Sequence, residues 1–210
     1  MKKNSTKSGN SLRIIAGKWR SRKLVFPDVE GLRPTADRVR ETLFNWLQDT
    51  IAREDCLDLF AGSGACGTEA LSRGARHVTF VDSSAAAIRA IRANLDVLQA
   101  DGYELVCEDS LRWLQGRALS GTTHQSLYGL VFIDPPFATD LLARSAAALE
   151  QSGLLRDDAL VYLEWASDIP SVGLPANWQM LKSKRAGAVY FCLYQRKAPD
   201  SHRASGTQTS

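Results

Sequence analysis

Apolar positions fall into two kinds of run along this chain. From residue 56 onward, short and nearly continuous apolar runs recur at Cys56–Phe60, His77–Val81, Glu104–Cys107, Leu130–Ile133 and Ala159–Leu163. Between them lie segments of helical spacing at about 65–74, 84–99, 110–117 and 140–150. Strand–helix alternation predicts a parallel sheet with helices on both faces, and strands buried on both faces read as unbroken apolar runs. Near the end, Trp178–Lys184 and Val189–Gln195 flank Arg185-Ala-Gly187-Ala, which predicts an antiparallel hairpin completing the sheet. Ahead of the alternating region, Val39, Leu43, Trp46, Leu47 and Ile51 form one apolar stripe of a helix that Asp37 caps. Arg38, Arg40, Glu41, Asn45 and Gln48 are assigned to its other face. Residues 12–26, LRIIAGKWRSRKLVF, read as two short strands around Gly17-Lys18-Trp19-Arg20, with Arg20 and Arg22 on one face of the second strand. Pro27, Gly31 and Pro34 make residues 27–36 a loop.

These patterns divide the chain into a disordered tail (1–11), a basic hairpin with its loop (12–36), an α/β domain (37–196) and a second disordered tail (197–210). A length of 210 residues suits one such domain. With 44% hydrophobic and 23% charged residues the composition is that of a globular protein and excludes a disordered or collagen-like chain. The longest strongly apolar run, Leu130–Ile133, is far below the roughly 20 residues a membrane-crossing helix needs. The N-terminus starts basic but lacks an apolar segment, so it does not read as a signal peptide, and a cytoplasmic, monomeric protein is expected. Cys56, Cys66, Cys107 and Cys192 form no CxxC pair and read as reduced core thiols; no metal site is expected.

Charge changes the picture. Residues 1–40 hold eleven Lys or Arg and three acids, a net +8 against +3 for the whole chain, which leaves the remainder at −5. A basic arm on an acidic body points to a polyanion bound at one end. Arg13, Lys18, Arg20, Arg22, Lys23, Arg33, Arg38 and Arg40 are the candidate phosphate contacts, with Thr35 beside them. Trp19 is suited equally to stacking on a base and to packing against Leu24 or Phe26.

The first strand–helix turn reads Asp58-Leu-Phe60-Ala61-Gly62-Ser63-Gly64-Ala-Cys-Gly67. Gly62 and Gly64 permit a tight turn with close ligand approach, and Gly67 lets the helix pack near the strand. Such turns sit at the carboxyl ends of the strands, where these sheets bind ligands. Asp82, followed by Ser83, closes the second strand, where a carboxylate accepts from both hydroxyls of a ribose. The spacing alone also fits NAD. Asp58 argues otherwise: it would repel a pyrophosphate but suits S-adenosylmethionine, which carries an ammonium and a sulfonium and no phosphate. Asp109, followed by Ser110, is placed to reach an adenine amine, and serves equally well as a helix N-cap.

The fourth strand ends Asp134-Pro135-Pro136-Phe137. Two prolines lock the backbone and fix the Asp134 carboxylate and the Pro135 carbonyl as a rigid acceptor pair. Phe137 adds an aromatic face for a planar base. An exocyclic amine is a poor nucleophile because its lone pair is delocalised; holding both hydrogens favours a pyramidal nitrogen aimed at a methyl donor, so positioning drives the displacement. Glu164, ending the fifth strand, suits a structural hydrogen bond better than a catalytic role.

With RIIAGKWRSRKL, GLRPTADRVRETLFNWL, LDLFAGSGACGTEALSRGA, VFIDPPF, VYLE and KRAGAVYFCLYQR, the chain resembles the RsmD family of bacterial methyltransferases over about residues 12–196. The resemblance implies a class I, Rossmann-like methyltransferase fold: a seven-stranded, mostly parallel sheet covered by helices, with its last strand antiparallel and an N-terminal hairpin. It implies S-adenosylmethionine as donor and N2 of a guanine in 16S rRNA as acceptor, presented on the small ribosomal subunit or an assembly intermediate. It also implies that the hairpin and the RPTADRVRE segment face RNA and close over the active site. The chain departs from the family's common pattern at Asp82, where Glu is usual. The competing expectations are an NAD-dependent oxidoreductase, an adenine-N6 methyltransferase and a non-catalytic RNA-binding protein.

Overall fold

The computed structural model describes residues 10–26, 37–119, 128–136, 140–166 and 173–198. The elements run in chain order β1 (Asn10–Arg13), β2 (Lys23–Phe26), α1 (Asp37–Trp46), β3 (Asp55–Asp58), α2 (Ala65–Ser72), β4 (His77–Asp82), α3 (Ala85–Leu98) and β5 (Tyr103–Cys107). They continue α4 (Ser110–Leu119), β6 (Tyr128–Ile133), α5 (Leu141–Gln151), β7 (Leu155–Ala166), β8 (Trp178–Ala186) and β9 (Val189–Arg196).

The seven-stranded sheet has the order β5-β4-β3-β6-β7-β9-β8. Strands β3 to β7 are parallel, and β9 lies antiparallel between β7 and β8. The expected mostly parallel sheet with a terminal antiparallel hairpin is what forms. Every residue of β3 and β6 is buried, because both strands carry helices on each face. One face packs Val39, Leu43, Phe44, Ala70, Ile91 and Leu95 of α1, α2 and α3 against Cys56, Phe80 and Phe132. The other packs Trp113, Leu114, Leu142 and Leu149 of α4 and α5 against Leu57, Val131 and Leu163.

Strand order reverses between β3 and β6: from β3 the chain moves outward through β4 and β5, then returns to pair β6 on its other side. The crevice beyond the carboxyl ends of these two strands is the switch point at which such sheets bind ligands.

Several expectations need correction. β1 starts at Asn10, and Asn10 and Ser11, assigned to the tail, pair with Phe26 and Val25. β2 starts only at Lys23, so Arg20 and Arg22 lie in the connecting turn and share no strand face. α1 ends at Trp46, followed by turns that still bury Leu47 and Ile51. β3 ends at Asp58, two residues early, since the chain turns there into the glycine loop. Cys107 is an exposed free thiol rather than a core residue, because β5 is an edge strand; Cys56, Cys66 and Cys192 are buried.

The N-terminal arm is part of the main core, with Leu12, Ile14, Trp19, Leu24 and Phe26 buried in the same cluster as α1, α2 and α3. Trp19 therefore packs inward, with Lys18 Nζ 5.2 Å from its ring centre. Two polar residues on the last turn of α2 hold the arm. Glu69, fully buried, accepts from the amides of Ile15 at 2.7 Å and Ala16 at 3.0 Å, and from Arg73 Nε at 2.7 Å. The Ser72 hydroxyl accepts from the Trp19 amide at 3.0 Å and donates to the Ala16 carbonyl at 2.6 Å; the Ser72 carbonyl accepts from the Lys18 amide at 2.7 Å. So close an approach needs glycine at position 17, where φ is +82° and a Cβ would overlap the Ser72 carbonyl.

Gly17→Ala is therefore expected to destabilise the protein by about 1–3 kcal/mol in chemical denaturation. Hydrogen exchange should quicken at the Ile15 and Ala16 amides before the parallel sheet is affected.

Candidate cofactor and substrate cleft

Asp58 and Asp82 are the last residues of β3 and β4, and Asp109 lies two residues beyond β5. Asp58 is buried, and its Oδ2 accepts from the Gly67 amide at 2.9 Å. Gly67 is the third residue of α2, whose N-cap Gly64 has no side chain to offer, so the strand-end carboxylate satisfies a helix-start amide from outside. Gly67 allows this approach, since a Cβ there would overlap the Phe80 ring. Gly62 and Gly64 both take positive φ, at +52° and +73°, which the turn requires.

Asp82 is half-buried. Its Oδ2 accepts from the Gly62 amide at 2.8 Å and its Oδ1 from the Ser84 amide at 2.7 Å. One carboxylate thus pins the glycine turn to the start of α3, where Ser84 caps the helix. Asp109 is exposed and accepts from the Arg112 amide at 2.9 Å, the N-cap arrangement that was one of its two readings. Ser110 is withdrawn from the cleft: it is buried and its hydroxyl donates to the Leu59 carbonyl, tying the start of α4 to the end of β3. Ala61 and Ser63 are buried, Phe60 is half-buried and Ser83 is exposed.

Asp134 follows β6 and is half-buried, Pro135 is buried and Pro136 is exposed; Phe137 lies outside the described residues. Next to them Glu164 is buried on β7 and accepts from the Tyr162 hydroxyl at 2.8 Å. The Cys66 thiol is pushed well above its ordinary range by burial and then by the charges of Asp58, Asp134 and Glu164. Asp58, Asp134 and Glu164 thus all act on Cys66 near the start of α2, and the Arg40 guanidinium opposes them. Burial also raises Asp58 to about 7; the Gly67 amide works against this and the Asp82 charge with it. A carboxylate so short of solvent gains from a cation and would repel a phosphate placed beside it. The donor set fits a cationic nucleoside and fits a pyrophosphate poorly.

The basic residues are distributed differently from expectation. Arg13, Lys18, Arg20, Arg22, Lys23 and Arg38 are exposed; Arg33 and Thr35 lie outside the described residues. Arg40 is fully buried, its Nη2 donating to Asp37 Oδ1 at 2.5 Å and to the Arg13 carbonyl at 2.9 Å. It lies three and four residues before Leu43 and Phe44 on the buried face of α1, its Nε and Nη1 are buried without a hydrogen-bond partner among the described residues, and its charge is felt at Cys66. Asp37 correspondingly pairs with Arg40. The tip of the arm is docked on the last residue of α2, at the end of the sheet opposite the cleft. Arg22 Nη2 lies 3.4 Å from the Val97 carbonyl near the end of α3, roughly 18 Å of helix rise from where that helix starts at the cleft. Lys18, Arg20 and Arg22 therefore do not close over the site. Glu69, which anchors the arm, was given no role by the sequence; an acid inside the small-residue run ACGTEALS, with Arg73 four residues on, was the available signal.

The family model described as "Conserved hypothetical protein 95" matches residues 12–195. The chain is 45% identical over 198 residues to Ribosomal RNA small subunit methyltransferase D of Escherichia coli K12, covering 94% of this chain and 96% of the relative. It is 42% identical to the protein of the same name from Haemophilus influenzae, covering 93% of this chain and all of the relative. A solved structure from Escherichia coli superimposes with a TM-score of 0.79 at 43% identity, covering 90% of this chain and 100% of that one.

The raised Asp58 has a consequence for stability. The unfolded chain ionises near 3.8 and the folded one near 7, so Asp58 favours folding at low pH and this contribution is lost as pH rises towards and through about 7. Asp58→Asn keeps an acceptor for the Gly67 amide without the charge. Without ligand, its stability relative to wild type should improve between pH 5 and pH 8, read from thermal unfolding at the two values.

Proposed function

The chain belongs to the RsmD family, and from that premise we propose that it methylates the exocyclic N2 amine of a guanine in 16S rRNA, using S-adenosylmethionine, on the small ribosomal subunit or an assembly intermediate. The observation that carries this reading is the placement of Asp134-Pro135-Pro136 beyond β6, directly across the switch point from Asp58 and the glycine turn. A rigid acceptor pair for an NH₂ group thus faces a site built for a cationic nucleoside.

When bound, S-adenosylmethionine supplies a methyl group made electrophilic by the sulfonium. Asp58 and the turn Gly62–Gly64 would hold its amino acid end, and Asp82 its ribose, with Asp109 at the adenine rim. The protein's remaining task is to present a nitrogen lone pair. Asp134 and the Pro135 carbonyl accept the two N–H groups of the amine, and the prolines prevent the acceptors from rotating away. Holding both hydrogens turns the lone pair out of the ring's π-system and aims it along the line of displacement. The nitrogen loses one proton after transfer, and the Asp134 carboxylate is the group placed to receive it.

A guanine inside a duplex cannot reach this crevice, so the target base must be unstacked, which costs a few kcal/mol. A structured substrate that already displays the base lowers that cost. The distance between the exposed cations of the arm and the cleft also favours a large substrate that touches both.

Asp134→Ala should abolish methyl transfer while leaving S-adenosylmethionine binding within about two-fold by calorimetry. The assay uses labelled donor and small subunits from cells lacking this protein, with nucleoside mass spectrometry identifying N2-methylguanosine. Full activity in that variant, or a methyl group on adenine, would overturn the reading. If about six exposed cations of residues 13–38 pair with phosphates, subunit binding should weaken about 10³-fold between 50 and 200 mM salt.

A further inference from the structure

The arm's tip lies at the far end of the sheet, and Arg40 is buried. A basic segment that the topology brings to the cleft end is the β8–β9 hairpin. Because β9 runs antiparallel to β7, Val189 pairs with Ala166 at the carboxyl end of β7, and the turn at Gly187 stands at the rim. Residues 173–198 contain five Lys or Arg and no acid. Arg196 is taken by Glu150 and Asp157. Lys182, Lys184 and Arg185 are exposed and form no ion pair among the described residues.

Arg185 differs from its two neighbours. Lysines on an edge strand deter pairing with a foreign strand, which accounts for Lys182 and Lys184 without a ligand. Arg185 is instead held in a fixed place. Its Nε donates to the Gly187 carbonyl at 2.9 Å, and its guanidinium lies 5.4 Å from the centre of the Tyr190 ring. Tyr190 is stacked in turn on Trp165, with ring centres 6.0 Å apart and planes 14° apart. Trp165, Tyr190 and Arg185 are direct partners across three strands, so they form one row over β7, β9 and β8. On the other side the row leads to the cleft. Ile133, the last residue of β6, pairs with Leu163, two residues before Trp165 on the same strand face, and Pro135 follows two residues beyond the end of β6.

With Nε engaged and the plane set by an aromatic ring, the two terminal amino groups of Arg185 are left as a preset fork. That fork matches two oxygens of a phosphate. We propose that Arg185 clamps an RNA backbone phosphate beside the target nucleotide, and that Tyr190 and Trp165 are the positioning residues that hold it there. This rests on the RNA methyltransferase reading above. Binding is then divided between two regions. The hairpin fixes the strand at the cleft, and the arm contacts RNA roughly 20 Å away along the helices.

The test compares wild type, Arg185→Ala, Arg185→Lys and Tyr190→Leu on small subunits from cells lacking this protein. Arg185→Ala should raise KM for the subunit about ten-fold, leave kcat and S-adenosylmethionine affinity unchanged, and reduce the slope of log affinity against log salt by about one. Arg185→Lys should restore the salt slope but only part of the affinity, because an ammonium has no fork. Tyr190→Leu should weaken binding with the slope intact. Unchanged KM and slope in Arg185→Ala, with an active wild type, overturns this inference alone. A wild type that neither binds nor methylates the subunit overturns the reading beneath it.

Discussion

A single buried carboxylate organises the cleft. Asp58 ends the central strand and accepts an amide from the helix that follows, a helix whose own cap residue, Gly64, has no side chain to do so. The bond closes the glycine turn and sets the direction of α2. The same carboxylate is left poorly solvated, so the site it closes is also one that gains from a positive ligand. Structure and chemistry here come from one interaction, and both depend on Gly67, because any side chain there would meet the Phe80 ring.

Asp82 repeats the arrangement at the next strand, with one oxygen on the glycine turn and the other on the start of α3. These acids are therefore part of the scaffold, and on the proposed reading they are ligand surface as well. A carboxylate oxygen has two lone pairs, so accepting one backbone amide leaves capacity for a hydroxyl or ammonium group. The fixed amides also hold each carboxylate in one orientation before any ligand arrives.

The other end of α2 has a separate task. Glu69 and Ser72 bind the arm through its backbone, which is why its anchoring residues are small or apolar and its charges remain outside. One short helix thus has the cofactor turn at its start and the basic arm at its finish. Among the described residues, exposed cations stand at that distal end and at the β8–β9 rim, while Asp58, Asp82 and Asp134 stand at the crevice. A polyanion is drawn to the flanks, and a cationic cofactor to the centre.

The sequence by itself determined the sheet, the glycine turn, the strand-end acids and the turn at Asp134-Pro135-Pro136. Each is a local pattern: unbroken apolar runs, glycines where φ must be positive, an acid at a strand end, prolines where the backbone must stop. The elements fell close to their predicted places for that reason. What it left undecided depended on which faces meet. Arg40 and Arg38 look alike in a helical pattern, but only packing of α1 against the arm buries one of them. Trp19 and Trp165 are both tryptophans of short strands or turns in the pattern; the first is covered by the core and the second sits in a row across three strands. Whether the basic arm lies over the cleft or at the opposite end of the sheet was settled by where Gly17 can approach Ser72. That contact joins residues more than fifty positions apart, and no local pattern encodes it.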